Sequence, residues 1–281
     1  MGSRPRFLLD AMPDREAFQE AYIRPFRLVE QLDLKCGYEK SFKLIERRLL
    51  RNRYLLGIEK SILDDSKLAS ICEQMKLPEK FAERFFDDIA EANLVLLGFE
   101  EGADYCSYRI YFEYWDRLRR RISASPPPYQ PMTLFQGYKW STNDGDVAVV
   151  TDYVCYPRLG TDEIVARIRE IGADGEAFAI AIEIISLAAR LAGDQAFVYL
   201  EASEGGNPRN SFDINLYPAG MTLQSIYPRV ERLFEHYGIP ATELERLYRD
   251  CASRPLGHLS AGIDREGRDF FTVYYENQPG E

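Results

Sequence analysis

The sequence predicts an α+β protein: repeated strand–strand–helix–helix units forming an antiparallel β-barrel, with helices outside and a polar, tyrosine-lined interior. Three observations predict it. From residue 94 onward, short alternating stretches come in pairs around turn residues. Helical stretches separate the pairs, which is the signature of an internal repeat. Finally, the second strand of each pair sets an aliphatic face against a charged or polar one and closes on a tyrosine, as in Arg109-Ile110-Tyr111, Val154-Cys155-Tyr156, Asn215-Leu216-Tyr217 and Thr272-Val273-Tyr274.

The elements follow in order. Residues 1–92 read as a helical N-terminal region packed on the barrel, and 93–281 as the hairpin and helix-pair domain. In the first region the periodicity predicts helices over 16–32, 39–53, 67–75 and 79–92, the last opened by Pro78 in the first turn, where proline is tolerated. Arg47, Arg48, Arg51 and Arg53 then read as a solvated helix face with local ion pairs, a phosphate-binding patch being the alternative. The first hairpin spans 94–100 and 108–115 across Gly102-Ala103-Asp104. A basic segment, 117–122, leads into the breaker run Pro126-Pro127-Pro128, read as a crossover loop.

The second hairpin covers 134–141 and 147–156 and turns at Asp144-Gly145. Two helices follow. Thr161 starts the first, Asp162 and Glu163 suit its positive end, and Gly172 stops it; the second is the apolar run 177–191. The third hairpin, 196–203 and 211–217, turns at Gly205-Gly206-Asn207-Pro208. Helices over 223–237 and 243–251 precede the last hairpin, 257–276, which turns at Glu266-Gly267.

Helices need apolar strand positions to pack on. Ile110 and Phe112, Ile214 and Leu216, and Phe271, Val273 and Tyr275 supply them. The opposite face then carries Arg109, Tyr111 and Glu113, then Asp213, Asn215 and Tyr217, then Thr272, Tyr274 and Glu276, with Asp152 and Tyr156 in phase in the second hairpin. A flat sheet with a wet back would be a two-layer sandwich. About eight strands rarely stay open and flat, and closure removes the edges. An interior so polar is a ligand chamber rather than a packed core.

Composition bounds the partners. A chain of 281 residues with 46% hydrophobic and 28% charged residues buries a sizeable core. A net charge of −10 argues against nucleic acid and anionic membrane as partners. Five scattered cysteines without CxxC spacing suit reduced thiols in a cytoplasmic setting, not a disulfide framework or a zinc site. The most apolar stretch is shorter than the ~20 residues a bilayer span needs, and the N-terminus lacks a signal-peptide apolar run. GxSxG, HExxH, GxGxxG and the P-loop pattern are all missing, and two histidines leave little for a triad or a multi-His metal site.

The arrangement resembles the ABBA aromatic prenyltransferases, whose PT barrel repeats α–β–β–α units around a central chamber. The resemblance runs over about residues 94–276. Its closest likenesses are Asn215-Leu216-Tyr217 leading into a helix that ends His236-Tyr237-Gly238, Val154-Cys155-Tyr156-Pro157, and the Arg109-Ile110-Tyr111 and Thr272-Val273-Tyr274 strand ends. Four hairpins are visible where such a barrel has five.

What the resemblance implies is transfer of a prenyl group from an allylic diphosphate to an aromatic acceptor, a small molecule or peptide, in secondary metabolism. By position, Arg109 and Lys139 become diphosphate contacts, and Tyr111, Tyr156, Tyr217 and Tyr274 a shield for the allylic cation. Asp213, Asn215 and His258 join the substrate-binding wall, and Glu100, Glu201 and Glu276 are the candidate acceptor-side bases, with nothing to choose among them. The lining so assembled is acidic, so the diphosphate needs either a basic rim from Arg158, Arg209, Arg265 and Arg268 or a Mg²⁺ bridge. The other reading is a non-enzymatic small-molecule binder or biosynthetic accessory protein using the same chamber. Oligomeric state is not encoded in these patterns.

Overall fold

The computed structural model describes residues 15–102, 105–124, 126–143, 148–172 and 175–276. Its order is α1 (Arg15–Gln31), β1 (Gly37–Ile45), β2 (Arg48–Glu59), α2 (Asp65–Gln74), α3 (Ala82–Ile89), β3 (Leu94–Glu100), β4 (Ser107–Glu113), α4 (Trp115–Ala124), β5 (Met132–Ser141) and β6 (Ala148–Cys155). Then come α5 (Thr161–Gly172), α6 (Glu176–Ala192), β7 (Val198–Ser203), β8 (Asn210–Asn215), α7 (Tyr227–His236), α8 (Ala241–Cys251), β9 (Leu256–Ile263) and β10 (Asp269–Glu276).

The strands close a barrel in which each pairs antiparallel with its neighbour in the chain, and β1 pairs with β10 to seal it. The closed barrel with helices outside is the architecture the alternation predicts. The outward strand faces carry the core. Phe271, Val273, Ile214 and Leu259 pack under α5–α8, and Tyr54, Leu56, Leu97, Phe99, Ile110 and Phe112 pack under α1–α3. The wall is therefore greasy outside, and its inward positions are free to be polar.

Local chemistry explains the helix ends. The Asp64 carboxylate caps α2 by accepting from the Lys67 amide at 2.9 Å. Gly238, at φ 64°, ends the turn after α7 in the left-handed region. On α6 the residues Phe178, Ile180, Ala181, Ile184, Ile185 and Ala188 are buried, as its apolar sequence requires. No helix among the described residues is long and apolar enough to cross a membrane.

The main correction lies in the first ninety residues. The helix expected over 39–53 is the β1–β2 hairpin, the fifth strand pair, so the barrel begins at Gly37 and not at 93. Two features hide it from pattern reading. A register irregularity between Ser41 and Lys43 breaks the alternation, and the tight turn Glu46-Arg47 has no glycine or asparagine; Arg47 itself takes φ 56°. The arginine cluster divides accordingly. Arg47 and Arg48 are exposed, Arg51 pairs with Glu243 at 3.6 Å, and Arg53 turns inward. The basic segment that leads into the proline run is helical, within α4. The turn residues Ala103-Asp104 and Asp144-Gly145 lie outside the described residues.

Candidate active site

Inward side chains of all ten strands enclose a chamber of about 490 Å³. Three tiers succeed one another along the barrel axis, from the end where the hairpins turn to the end where strands leave for the helices.

The first tier is cationic. Arg53 on β2, Arg109 on β4 and Lys139 on β5 surround Glu100 on β3; Arg109 faces Lys139 across the β4–β5 pair and Arg53 faces Glu100 across β2–β3. Arg53 Nη2 donates to Glu100 Oε1 at 2.6 Å, Lys139 Nζ lies 3.5 Å from Oε2, and Arg109 also bonds Oε2. Lys43 on β1 joins them with its ammonium 4.0 Å from the Phe270 ring centre. Burial alone would raise the Glu100 carboxyl, but Arg109, Arg53 and Lys139 hold it far below the carboxylate range. Burial, then repulsion from Arg109, pulls the Lys139 ammonium down to about 7. Burial, with Arg53 and Lys139 adding to it, takes Lys43 well below the lysine range too.

One carboxylate does not neutralise this set. The Nε–H donors of Arg53, Arg109 and Arg209 are buried without a hydrogen-bond partner. Arg209 and Arg265 extend the tier toward the turn end, where Glu204 holds both: Arg265 Nε donates to its Oε2 at 2.7 Å, and Arg209 lies 3.5 Å away. Two arginines and a lysine gathered round the single carboxylate of Glu100 leave an excess of positive charge, which suits an anion.

The second tier is aromatic. Tyr111, Tyr153 and Tyr274 line the chamber next to the cations; Tyr111 and Tyr153 meet edge to face at 5.7 Å between centres, and Arg109 bonds the Tyr111 hydroxyl. Burial raises Tyr111 and Tyr274 far above the ordinary tyrosine value, so both phenols are neutral. Gly137, on the inward face of β5, makes the room: a Cβ there would lie 2.6 Å from Tyr111 Cε1.

The third tier is acidic. Asp213 and Asn215 on β8, His258 on β9, Glu276 on β10, Glu39 on β1 and Glu113 on β4 line it. His258 Nδ1 is 2.9 Å from Asp213 Oδ1. Burial would lower that imidazole, but Asp213 and Glu39 lift it to about 9, so it is protonated at neutral pH. Tyr217 Oη donates to Glu39 Oε1 at 2.8 Å. Burial raises Glu39, opposed by His258 and the Tyr217 bond. Gly257 leaves space for that bond, since a Cβ there would stand 2.7 Å from the Tyr217 hydroxyl. This tier opens outward through a mouth flanked by Trp115, Leu134 and Val198.

Of the residues expected at the site, Arg109, Lys139, Tyr111, Tyr217, Tyr274, Asp213, Asn215, His258, Glu100 and Glu276 line the chamber. Two do not. Tyr156 sits outside the barrel, where the Arg167 guanidinium stacks 3.6 Å from its ring centre, and Glu201 faces the same helix, accepting from Arg167 Nε at 2.6 Å. The register between β5 and β6 shifts between Thr133 and Phe135, and Tyr153, not Tyr156, turns inward. Asp152 shares the outward parity and accepts from Gln136 Nε2 at 3.0 Å. Glu100 is inside but is spent on three cations. Lys43 and Glu39 lie on the hairpin whose sequence mimics a helix, and Arg53 of the arginine cluster turns into the chamber with them.

Of the basic rim, Arg209, Arg265 and Arg268 line the chamber, while Arg158 lies over the Tyr129 ring instead. Among the described residues no three His, Cys, Asp or Glu side chains are grouped to hold a metal ion, and the acids beside the cationic tier, Glu100 and Glu204, are already ion-paired. That donor set does not fit a protein-held Mg²⁺.

No protein-family model and no curated protein matches the chain. Solved structures do. The prenyltransferase PriB in its apo form aligns at TM-score 0.58 over 95% of this chain and 92% of its own, with 13% identity. The 6-dimethylallyltryptophan synthase from Micromonospora olivasterospora, in complex with DMASPP and Trp, aligns at 0.53 over 85% and 81% with 14% identity. NotF, in complex with brevianamide F and DMSPP, aligns at 0.55 over 86% and 80% with 10% identity. The likeness is one of fold: this chain has the PT barrel of those aromatic prenyltransferases.

Proposed function

We propose that this protein transfers a prenyl group from an allylic diphosphate to an aromatic acceptor, a small molecule or peptide, held inside the barrel. The observation that carries the reading is the order of side chains along one chamber: clustered cations, then tyrosines, then carboxylates. The chemistry needs that order. The diphosphate binds the cationic tier, where Arg53, Arg109 and Lys139 bond its oxygens. The allylic C–O bond breaks with both electrons leaving on the diphosphate, whose growing charge these side chains stabilise. The cation left behind faces Tyr111, Tyr153 and Tyr274, whose π-faces are worth ~0.5–2 kcal/mol each and whose bulk keeps water out.

A ring carbon of the acceptor then donates its electron pair to the allylic carbon. The new C–C bond leaves an arenium ion, whose proton goes to the Glu39 carboxylate, restoring aromaticity. Glu39 suits this role because burial raises its proton affinity and Tyr217 fixes its orientation. His258 already carries a proton at neutral pH, so it is the electrostatic partner of Asp213 and not the base.

The test is incubation with dimethylallyl, geranyl and farnesyl diphosphates and a panel of aromatic acceptors, products followed by mass. We expect a prenylated acceptor with one diphosphate released. Arg109→Ala and Lys139→Ala should each lower kcat/KM on the order of 10²–10³-fold, as loss of a charge-stabilising donor does. Glu39→Gln should lower kcat by roughly 10²–10⁴-fold, the usual share of a positioned base. Tight binding of another metabolite with no diphosphate turnover would sink transfer in favour of a binding protein.

A further inference from the structure

We propose that the acceptor is an aromatic amine bound as its ammonium ion and lacking a carboxylate. This rests on the prenyl-transfer reading above. The argument starts from the charges of the third tier. Glu39, Glu113, Asp213 and Glu276 face a compartment whose one cation among the described residues is His258, and Asp213 holds it at 2.9 Å. Glu113 and Glu276 make no ion pair with a described residue. Four carboxyls against one imidazole leave acids that the compartment's own side chains do not pair, and burial, which raises Glu39 and Glu113, adds to the cost of their charged forms. A bound cation relieves it.

The shape of the compartment adds an independent constraint. Going round the barrel, Asp213, Glu276 and Glu39 stand together on β8, β10 and β1, while Leu55 of β2, Leu94 and Leu96 of β3, Phe135 of β5 and Leu200 of β7 form an apolar wall that Glu113 of β4 interrupts between Leu94 and Phe135. A flat ring on that wall directs one edge at the tyrosine tier and its side chain at the acids. The mouth's cations are engaged elsewhere: Arg119 pairs with Asp116, and Lys60 Nζ lies 3.5 Å from the Leu63 carbonyl. An α-carboxylate on the acceptor would meet four acids, and the imidazolium among them is already paired with Asp213. Discrimination against it is thus built from repulsion as well as attraction.

The experiment titrates the full-length chain, saturated with the unreactive dimethylallyl thiolodiphosphate, by calorimetry. Tryptamine is compared with N-acetyltryptamine, L-tryptophan and indole-3-propionate, and tyramine with N-acetyltyramine and L-tyrosine. The expected result is at least tenfold tighter binding of an amine than of its acetylated form, weaker binding still of the carboxylates, and loss of the amine preference in Glu276→Gln and Asp213→Asn. Circular dichroism verifies that both variants fold. If the neutral or carboxylate-bearing compounds bind as well as the amines, or no amine binds better than its acetylated form, the acceptor proposal is overturned while diphosphate binding leaves the transfer reading intact. If the thiolodiphosphate itself does not bind, the transfer reading falls, and the acceptor role falls with it, whichever amine binds.

Discussion

Lys139 is a lysine whose charge is decided by its ligand. With its ammonium brought to about 7 by burial and Arg109, it is close to half protonated at neutral pH in the free protein. An incoming diphosphate favours the charged form and draws a proton from solvent. The sign follows: above pH 7 the free lysine is neutral, binding must supply the proton, and affinity falls as pH rises. Titration with inorganic pyrophosphate should show net proton uptake between pH 7 and 8, read from heats in buffers of differing ionisation enthalpy. Lys139→Arg, charged throughout, should flatten that part of the dependence, and an unchanged slope would remove Lys139 from the anion site. The same residue-scale logic separates the acids: Glu100 is held ionised by its cations, whereas Glu39, beside one imidazolium, keeps an affinity for protons.

At the scale of the element, each strand offers alternate residues to the chamber, and glycine decides which neighbours fit. On β5 the inward Gly137 lets Tyr111 and Tyr153 meet across it. Gly137→Ala puts a methyl into the Tyr111 ring and shifts the tier that the proposed reaction sets beside the allylic carbon. We expect kcat to drop about 10–100-fold, in line with the cost of ångström-scale misplacement, while the melting temperature changes by a few degrees at most. Retained kcat would mean the tyrosine pair is a wall and nothing more.

Strands β3–β5 and β7–β10 were legible because charge and grease alternate without interruption and their turns include Gly102, Gly206 and Gly267. In β1–β2 the irregularity at Ser41–Lys43 and a turn without glycine left a charged stretch that mimics a helix face, hiding the hairpin that brings Glu39, Lys43 and Arg53. Tyr156 and Glu201 failed for another reason. Parity along a strand has period two: Tyr156 continues the outward row of Asp152 and Val154, and Glu201 shares the outward row of Tyr199, where both meet Arg167, while Tyr153 and Leu200 face in. The acidic lining read from the sequence was thus half of the chamber, and its missing cations lay on the unread strands.

Across the whole molecule, carboxylates tie the barrel wall together at the turn end. Glu204 accepts from Thr151 at 2.5 Å and from Arg265, joining β6 to the loops after β7 and β9, and its carboxyl is held down to about 2; burial opposes this, and the Arg265 and Thr151 bonds overcome it. A carboxyl lower in the folded state than its ordinary 4.5 stabilises the fold above that value, and this contribution is lost as pH falls toward 2. Urea midpoints should hold steady from neutral pH down to about 5 and then fall. Glu204→Gln should lower the neutral-pH midpoint and make the acid decline shallower. An equally steep decline in the variant would assign the loss to other acids such as Glu100.

The seam between β1 and β10 sets the Glu39 and Glu276 backbones side by side, joining positions near the two ends of the barrel-forming chain. Every other pairing joins strands consecutive in the chain, whereas this one spans the whole circuit, and the most distant loops are the slowest to close. The cationic group of Arg53, Glu100, Arg109 and Lys139 is spread over β2–β5 and is complete within that early run. An unsealed sheet would therefore have its cationic group assembled while Glu39 and Glu276 stood apart. Closing the barrel at that seam is what sets the two acids of the proposed acceptor end side by side.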